Sequence, residues 1–492
     1  MRQVHAKLKR LALAAVVVFA AGGAALGAVL SSGGPRSWWG STLQATFVDP
    51  NGDGVLQRGP GEPFVDRTEL APRSRSVQRL ALFAQITDVH VVDEESPARL
   101  EMLDRLGSPF TSAFRPQEAL SGRVLAAAVR SLNALRPQAV VETGDLIDNA
   151  QANELQEALA ILRGGRVDPA SGARRYQGVQ AASDADPYYY RPDVDPPRHP
   201  GLLAEAERQF VSPGLHAPWY PVVGNHDLLV QGNLAPTPET QAIATGSRKP
   251  VSLSPAAQLL ARDRSLSPAL VRAVLRHGLP GRSVRVTADP HRRELSAAEV
   301  LATLRRSSGH GGSGQLLDYS FQLGTHARGI VVDTIRRGFG AGGLVRPAQL
   351  RWLAAALRAA GSEPVVVFTH TPLTATAGGA AALALLDRDP HVVAAVSGDT
   401  HRNSISAHRT AAGGYWLVGT SSLIDYPQQA RAFELDRTAD GGLVLETSMI
   451  DHDPADRDAA ISRQLAYLDF QGGRPKGFAG TRSDRNARLF LP

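Results

Sequence analysis

The chain contains no cysteine. Disulfides and thiolate metal sites are therefore excluded, and any metal must be held by oxygen and nitrogen. Lysine is nearly as scarce, occurring only at Lys7, Lys9, Lys249 and Lys476, so arginine carries the formal net charge of +6. The arginines are scattered and form no basic stripe with interleaved aromatics, so no nucleic-acid-binding module is evident. No internal repeat is evident either. What remains is ordinary globular material, with 43% hydrophobic and 20% charged residues. A length of 492 residues exceeds one average domain and suits a large α/β enzyme carrying insertions.

The N-terminus has the layout of an export signal. Arg2, Lys7, Lys9 and Arg10 precede an apolar run over 11–30, followed by SSGGPRS. Cleavage near Gly27 or Ala28 gives a secreted protein. The same run is long enough to serve as an uncleaved anchor, with membrane association through 11–30. Both readings place the bulk of the chain outside the cytoplasm.

Residues 139–149 read AVVETGDLIDN. A short β-branched run predicts a buried strand, and Gly144 permits a sharp turn that presents Asp145 at the strand's carboxyl end. Open α/β sheets bind their ligands at that edge. Four other apolar runs finish in the same way. LALFAQITDVH ends at Asp88 and His90, APWYPVVGNHD at Asn225, His226 and Asp227, PVVVFTH at His370, and VVAAVSGDTH at Asp399 and His401.

Taken in order, 31–78 reads as an irregular lead-in, and its DPNGDG as a turn, since Pro60 stands where a calcium loop needs its bidentate glutamate. Residues 79–90 form the first core strand. A helix over 118–135 connects it to the Asp145 strand, so the two pair in parallel. A second helix covers 151–163, and the Pro-, Asp- and Tyr-rich 164–200 reads as a surface excursion. The insertion 228–314, with helices at 267–277 and 296–305, leaves the sheet beside GNHD and is placed to roof the site. Its GHGGSG follows no strand, so it is not a nucleotide loop. Residues 316–323 and 328–334 read as a hairpin, 347–360 as an amphipathic helix, and 392–396 and 414–419 as strands. The catalytic domain spans 79–435. Residues 436–492 read as an extension packing on the core, with a strand at 442–447, a helix near 459–468 and a polar end.

Asp88, His90, Asp145, Asn225, His370, Asp399 and His401 are more ligands than one metal needs. Two divalent ions about 3.5–4 Å apart, with a bridging carboxylate, polarise one shared water and clamp a tetrahedral phosphorus. Carboxylate and amide oxygens with imidazoles suit Mn, Fe or Zn and not calcium.

In order, ITDVH, VETGDLIDN, VVGNHD, the His of VVVFTHTPL and SGDTH resemble the motif series of the calcineurin-like metallophosphoesterases: D-x-H, G-D-x-x-D/N, G-N-H-D/E, H and G-H-x-H. The resemblance runs from Leu80 to about His401 and extends to the large secreted bacterial members. It implies a four-layer α/β/β/α sandwich and hydrolysis of a small-molecule phosphate mono- or diester by water activated between two metals. Asp88, His90 and His401 would hold the first ion, Asp145 would bridge, and Asn225 and His370 would hold the second. His226 would protonate the leaving oxygen, Asp227 would tune it, and Asn149 would stand near the second ion. One position departs. Asp399 replaces the first His of G-H-x-H, a harder ligand that favours Mn, Mg or Fe there. The same departure is the best argument for the alternative, a non-catalytic envelope protein that keeps the fold and one metal. Tyr188–Tyr190 and Trp219–Tyr220 are candidates for stacking a base or sugar, and Arg402 for meeting a phosphate. His199, His216, His310 and His326 read as surface residues.

Overall fold

The computed structural model describes residues 40–107, 110–262, 268–276, 280–469 and 477–492. The segment 1–30, expected from its sequence to be an export signal or anchor, lies outside them. Among the described residues no helix is long and apolar enough to cross a membrane.

Two mixed sheets lie face to face. The seven-stranded sheet runs Val65–Arg67, Ala487–Leu491, Leu443–Asp451, Gln429–Thr438, Ser76–Ile86, Ala139–Thr143 and Trp219–Val222. Its last three strands are parallel, with Phe83 opposite Ala139 and Val140 opposite Trp219. The six-stranded sheet runs Tyr319–Leu323, Ala327–Val331, Val365–Phe368, Val392–Ser397, Tyr415–Gly419 and Ser404–His408, with a parallel centre. Strands buried on both faces read as continuous apolar runs, and Val365–Phe368 is buried throughout. Its alternate side chains divide between two cores. Val365 and Val367 pack outward with Leu353 and Leu357 of the helix Pro347–Ala360 and with Leu386 of the helix Gly379–Leu386. Phe368 faces inward, with its ring edge-on to Phe83 of the other sheet at 5.9 Å. On the far side, the helix Ser121–Leu135 packs against the helices Ala152–Arg163 and Arg457–Tyr467 and against the Leu443–Asp451 strand. It buries Leu125, Val129 and Leu132, one face at helical spacing, and ends where Arg136 turns left-handed (φ 55°) ahead of Pro137. The result is a four-layer α/β/β/α sandwich.

Three expectations need correcting. The segment from Asp436 onward does not pack on a finished core. Leu443–Asp451 and Ala487–Leu491 are strands of the main sheet, and the supposedly polar end is the buried ARLFL. The 31–78 lead-in adds its edge strand Val65–Arg67 beside them. The excursion 164–200 is partly core, because Val179 and Tyr189 pack with Phe114 and Val251. DPNGDG is a turn, in which the Asp49 carboxylate accepts hydrogen bonds from the Gly52 and Gly54 N–H groups.

Candidate metal centre

The five tips converge. Ser76–Ile86, Ala139–Thr143 and Trp219–Val222 end at one sheet's edge, Val365–Phe368 and Val392–Ser397 at the other's, and the loops leaving them interlock. Asp88, His90 and His401 offer ligand atoms within 4.8 Å of one another, as do Asp88, Asp145 and His370, and also His90, Asp145 and His226. Asp88 and Asp145 thus each belong to two groups. Asp399 Oδ1 lies 3.5 Å from His370 Nε2, and Asn225 Oδ1 lies 3.1 Å from the same nitrogen. All seven residues named as metal ligands are therefore brought together.

The backbone is strained where these groups are presented. Asp88, His90, Asp145, Asp399 and His401 have φ of 50°, 47°, 54°, 65° and 55°. Each such non-glycine residue costs about 1 kcal/mol or more, a cost characteristically retained where function requires the geometry. Two glycines permit the interlock. A Cβ on Gly144 would lie 2.6 Å from His370 Nδ1, and one on Gly398 would lie 2.0 Å from Thr87 Oγ1 and 2.6 Å from Asp88 Oδ2.

Hydrogen bonding shows what the cluster is built to receive. His370 Nδ1 faces the Thr143 carbonyl at 2.8 Å, an oxygen that only accepts, so Nδ1 carries the proton and Nε2 points inward. His90 Nδ1 is held by Asp148 at 3.0 Å and His401 Nδ1 by Asp425 at 2.6 Å. Their two Nε2 atoms then face each other at 3.3 Å. Asn225 commits its Nδ2 to the Gly232 carbonyl and turns its oxygen toward His370. Lone pairs of nitrogen and oxygen thus converge with little to donate to them, an arrangement that a cation satisfies. The residues present fit divalent metal ions.

Without a metal, the positive charge has to come from protons. Burial disfavours a charged His401, but Asp88 and Asp425 outweigh it and lift the imidazole to about 9. His370 is likewise raised against burial, chiefly by Asp145. His90 goes the other way: burial, helped by His226, lowers it to about 4 even though Asp148 favours the charged form. Asp145 is held below the usual carboxylate range because His370, His226 and His90 outweigh its burial. Metal loading must therefore expel protons. Apparent Mn²⁺ affinity is expected to rise with pH toward about 9, by roughly tenfold per unit for each proton displaced. Titration calorimetry at several pH values measures this.

Buried chains fix two of the imidazoles. Arg99 holds Asp148 at 2.9 Å and Glu118 at 2.6 Å, and Asp148 holds His90. Arg115 holds Asp425 at 2.9 Å, and Asp425 holds His401. Sequence reasoning missed both acids. Asp148 was legible, being the fifth residue of G-D-x-x-D. Asp425, in SSLIDYP, carries no local signal. Asn149 is buried, its side-chain oxygen accepts from the Gln231 N–H and its amide donates to Asp148, so both ends of the side chain are used in holding loops.

His226 stands at the open side with 16% of its side chain exposed, alongside Asp399 at 27%, whereas the His90 and His370 side chains are at 2% and 0%. Its Nδ1 faces the Asp148 carbonyl at 2.8 Å, leaving Nε2 free to meet a ligand. Burial disfavours its charged form, but Asp145 and Asp148 prevail and raise it. Asp227 does not tune that ring. Its carboxylate accepts from the backbone N–H groups of Asp145, Ile147 and Gly224, and so anchors the Asp145 loop. Burial, reinforced by Asp145, pushes Asp227 up to about 7.

The aromatic candidates do not form a stacking platform. Tyr189 is buried against Phe114, Tyr188 donates to Asp104, and Tyr220 stacks between Phe321 and His310. That contact makes His310 half-buried, and His199 is half-buried too, whereas His216 and His326 are exposed. Arg402 is exposed beside His401.

The sandwich with this strand-tip ligand set has the arrangement that the resemblance to calcineurin-like metallophosphoesterases implies. No protein-family model matches the chain, and no curated protein matches it. Solved structures do. A dimetal phosphatase from Danio rerio is similar at 14% identity over 76% of this chain and 99% of its own, with a TM-score of 0.38. The sulfate thiohydrolase SoxB from Thermus thermophilus is similar at 12% identity over 82% of this chain and 61% of its own, with a TM-score of 0.30. An NAD nucleotidase from Haemophilus influenzae is similar at 9% over 79% and 55%, with a TM-score of 0.27. Likenesses this distant add nothing to what the side chains show.

Proposed function

We propose that the chain is a metal-dependent phosphoester hydrolase acting outside the cytoplasm. The observation that carries this is the convergence of the imidazole Nε2 atoms of His90, His370 and His401, each with its Nδ1 engaged elsewhere, around Asp88 and Asp145. Asp88, His90 and His401 would hold one ion and Asn225, His370 and Asp399 a second, with Asp145 between them. When bound, two such ions supply Lewis-acid activation of water and neutralise charge on a tetrahedral phosphorus. The protein's share is to fix these groups and to present His226, whose Nε2 is placed to give a proton to the departing oxygen. Asp227 keeps the Asp145 loop in register.

The reading is tested with the Mn-loaded protein, by following turnover of bis(p-nitrophenyl) phosphate and of p-nitrophenyl phosphate. Preference between them separates diesterase from monoesterase, and hydrolysis of neither sinks the proposal.

The rival is an envelope protein holding one ion. Asp399 is the residue on which the two part, and it lies against His370 as a second-site ligand would. Asp399→Ala is expected to lower the metal content from two ions per chain to one. Unchanged second-ion affinity would remove Asp399 from the ligand set.

A further inference from the structure

Next to the metal cluster lies a cavity of about 310 Å³, and His226 lines it. His226 also belongs to the ligand-bearing groups, so it is where cluster and cavity meet. Away from His226 the wall is mostly hydrocarbon, with Arg99, Ser112, Gln231, Asn233 and Thr240 as its polar members. Met102 and Phe110 come from the segment before the first helix, Leu234 from the loop after GNHD, and Ile243, Val271 and Leu275 from the helices of the insertion. The helices Pro238–Ala244 and Pro268–Arg276 are tied together by Arg276 and Glu239 at 3.1 Å.

Three of these polar side chains are already engaged through most of their groups. Arg99 is held by Asp148 and Glu118, the Thr240 hydroxyl donates to Glu294 at 2.5 Å, and the Asn233 amide donates to the Gln231 carbonyl at 2.6 Å. A sugar, base or second phosphate entering here would lose its water and find few partners, at a cost that a hydrocarbon does not incur. An apolar pocket this size accommodates most of a small organic group.

We propose that this cavity receives the hydrocarbon of the substrate's alcohol, so that the substrates are phosphate esters of long-chain or otherwise apolar alcohols. The inference rests on the phosphoesterase reading and names its substrate class. In the reaction, the bond between phosphorus and the alkyl oxygen breaks and a bond from water oxygen to phosphorus forms. His226 gives its proton to the departing alkoxide and regains one from the attacking water, so alcohol and inorganic phosphate leave with no redox change.

Two series test this, n-alkyl phosphates from ethyl to decyl as substrates and the matching alkylphosphonates as ligands, both with the Mn-loaded full chain. The expected result is that kcat/KM rises roughly fourfold per methylene until the cavity is filled, the worth of burying one such group. Phosphonate Kd should fall in step. Val271→Asp and Ala257→Trp, at two positions of the wall, charge and fill the cavity and should flatten both series while the Mn content stays that of the parent. Hydrolysis of ethyl phosphate with no dependence on chain length overturns the inference and leaves the phosphoesterase reading intact. A slope that survives both variants overturns it as well. If no ester is hydrolysed, the phosphoesterase reading fails, and phosphonate binding indifferent to chain length then counts separately against the cavity.

Discussion

Asp145→Ala is expected to lower phosphoester turnover at least about a thousandfold, since the Lewis-acid contribution it removes is worth several kcal/mol. The effect is large because Asp145 sits between the two halves of the cluster. Its Oδ2 lies 3.4 Å from His370 Nε2 and 3.7 Å from His90 Nε2, and its Oδ1 accepts the His226 backbone N–H. Removing it leaves both ligand groups without their shared carboxylate. Added Mn²⁺ should then no longer raise the melting temperature, whereas for the parent a hundredfold excess over Kd stabilises by about 2.7 kcal/mol. Asp145→Asn separates charge from shape, because it can keep the bond to the His226 N–H and loses only the anion. If it restores metal binding to the level of the parent, the negative charge of Asp145 is not what holds the ions.

The second large effect belongs to His226. His226→Ala should retain both ions, since other residues supply the ligands. It should slow esters of poor leaving groups by about 10²- to 10⁴-fold, the usual worth of a positioned general acid. Esters of p-nitrophenol need no protonation of the departing oxygen and should be hardly affected. Equal slowing of both kinds would refute the acid role and point to His226 as a ligand or a wall residue. The geometry favours the acid. Asp145 and Asp148 keep the imidazole protonated to a higher pH than usual against its burial, and the Asp148 carbonyl fixes the ring with Nε2 outward.

Most of this site is legible in the amino-acid sequence. Asp88, Asp145 and His370 follow directly on apolar runs, and the C-terminal ends of parallel strands must share an edge, so a one-dimensional pattern carries three-dimensional information. Sequence does not convey the support behind the imidazoles. Asp425 is brought to His401 by the fold around it, across 24 positions without a motif. Asp227 sits inside GNHD and invites a chemical role, yet its oxygens face three backbone N–H groups. Only the turn of the chain after Gly224 decides which way that carboxylate points. The ends of the fold are hidden for a related reason. The Gln429–Thr438 strand, which pairs with both Ser76–Ile86 and Leu443–Asp451, is interrupted by Arg431, Glu434 and Asp436. These polar residues mask its periodicity, yet each is buried, with Arg431 donating to Thr420, Thr447 and Asn403. Charge in sequence suggests a surface tail where the protein has interior sheet.

Everything proposed for catalysis depends on one constellation of side chains holding a pair of cations. Elemental analysis of the chain after Mn²⁺ loading and removal of free metal tests it most directly. Two ions per chain are expected, falling to none or a fraction in Asp145→Ala. Retention of no ion by the parent chain, or of the same number by Asp145→Ala, would contradict it.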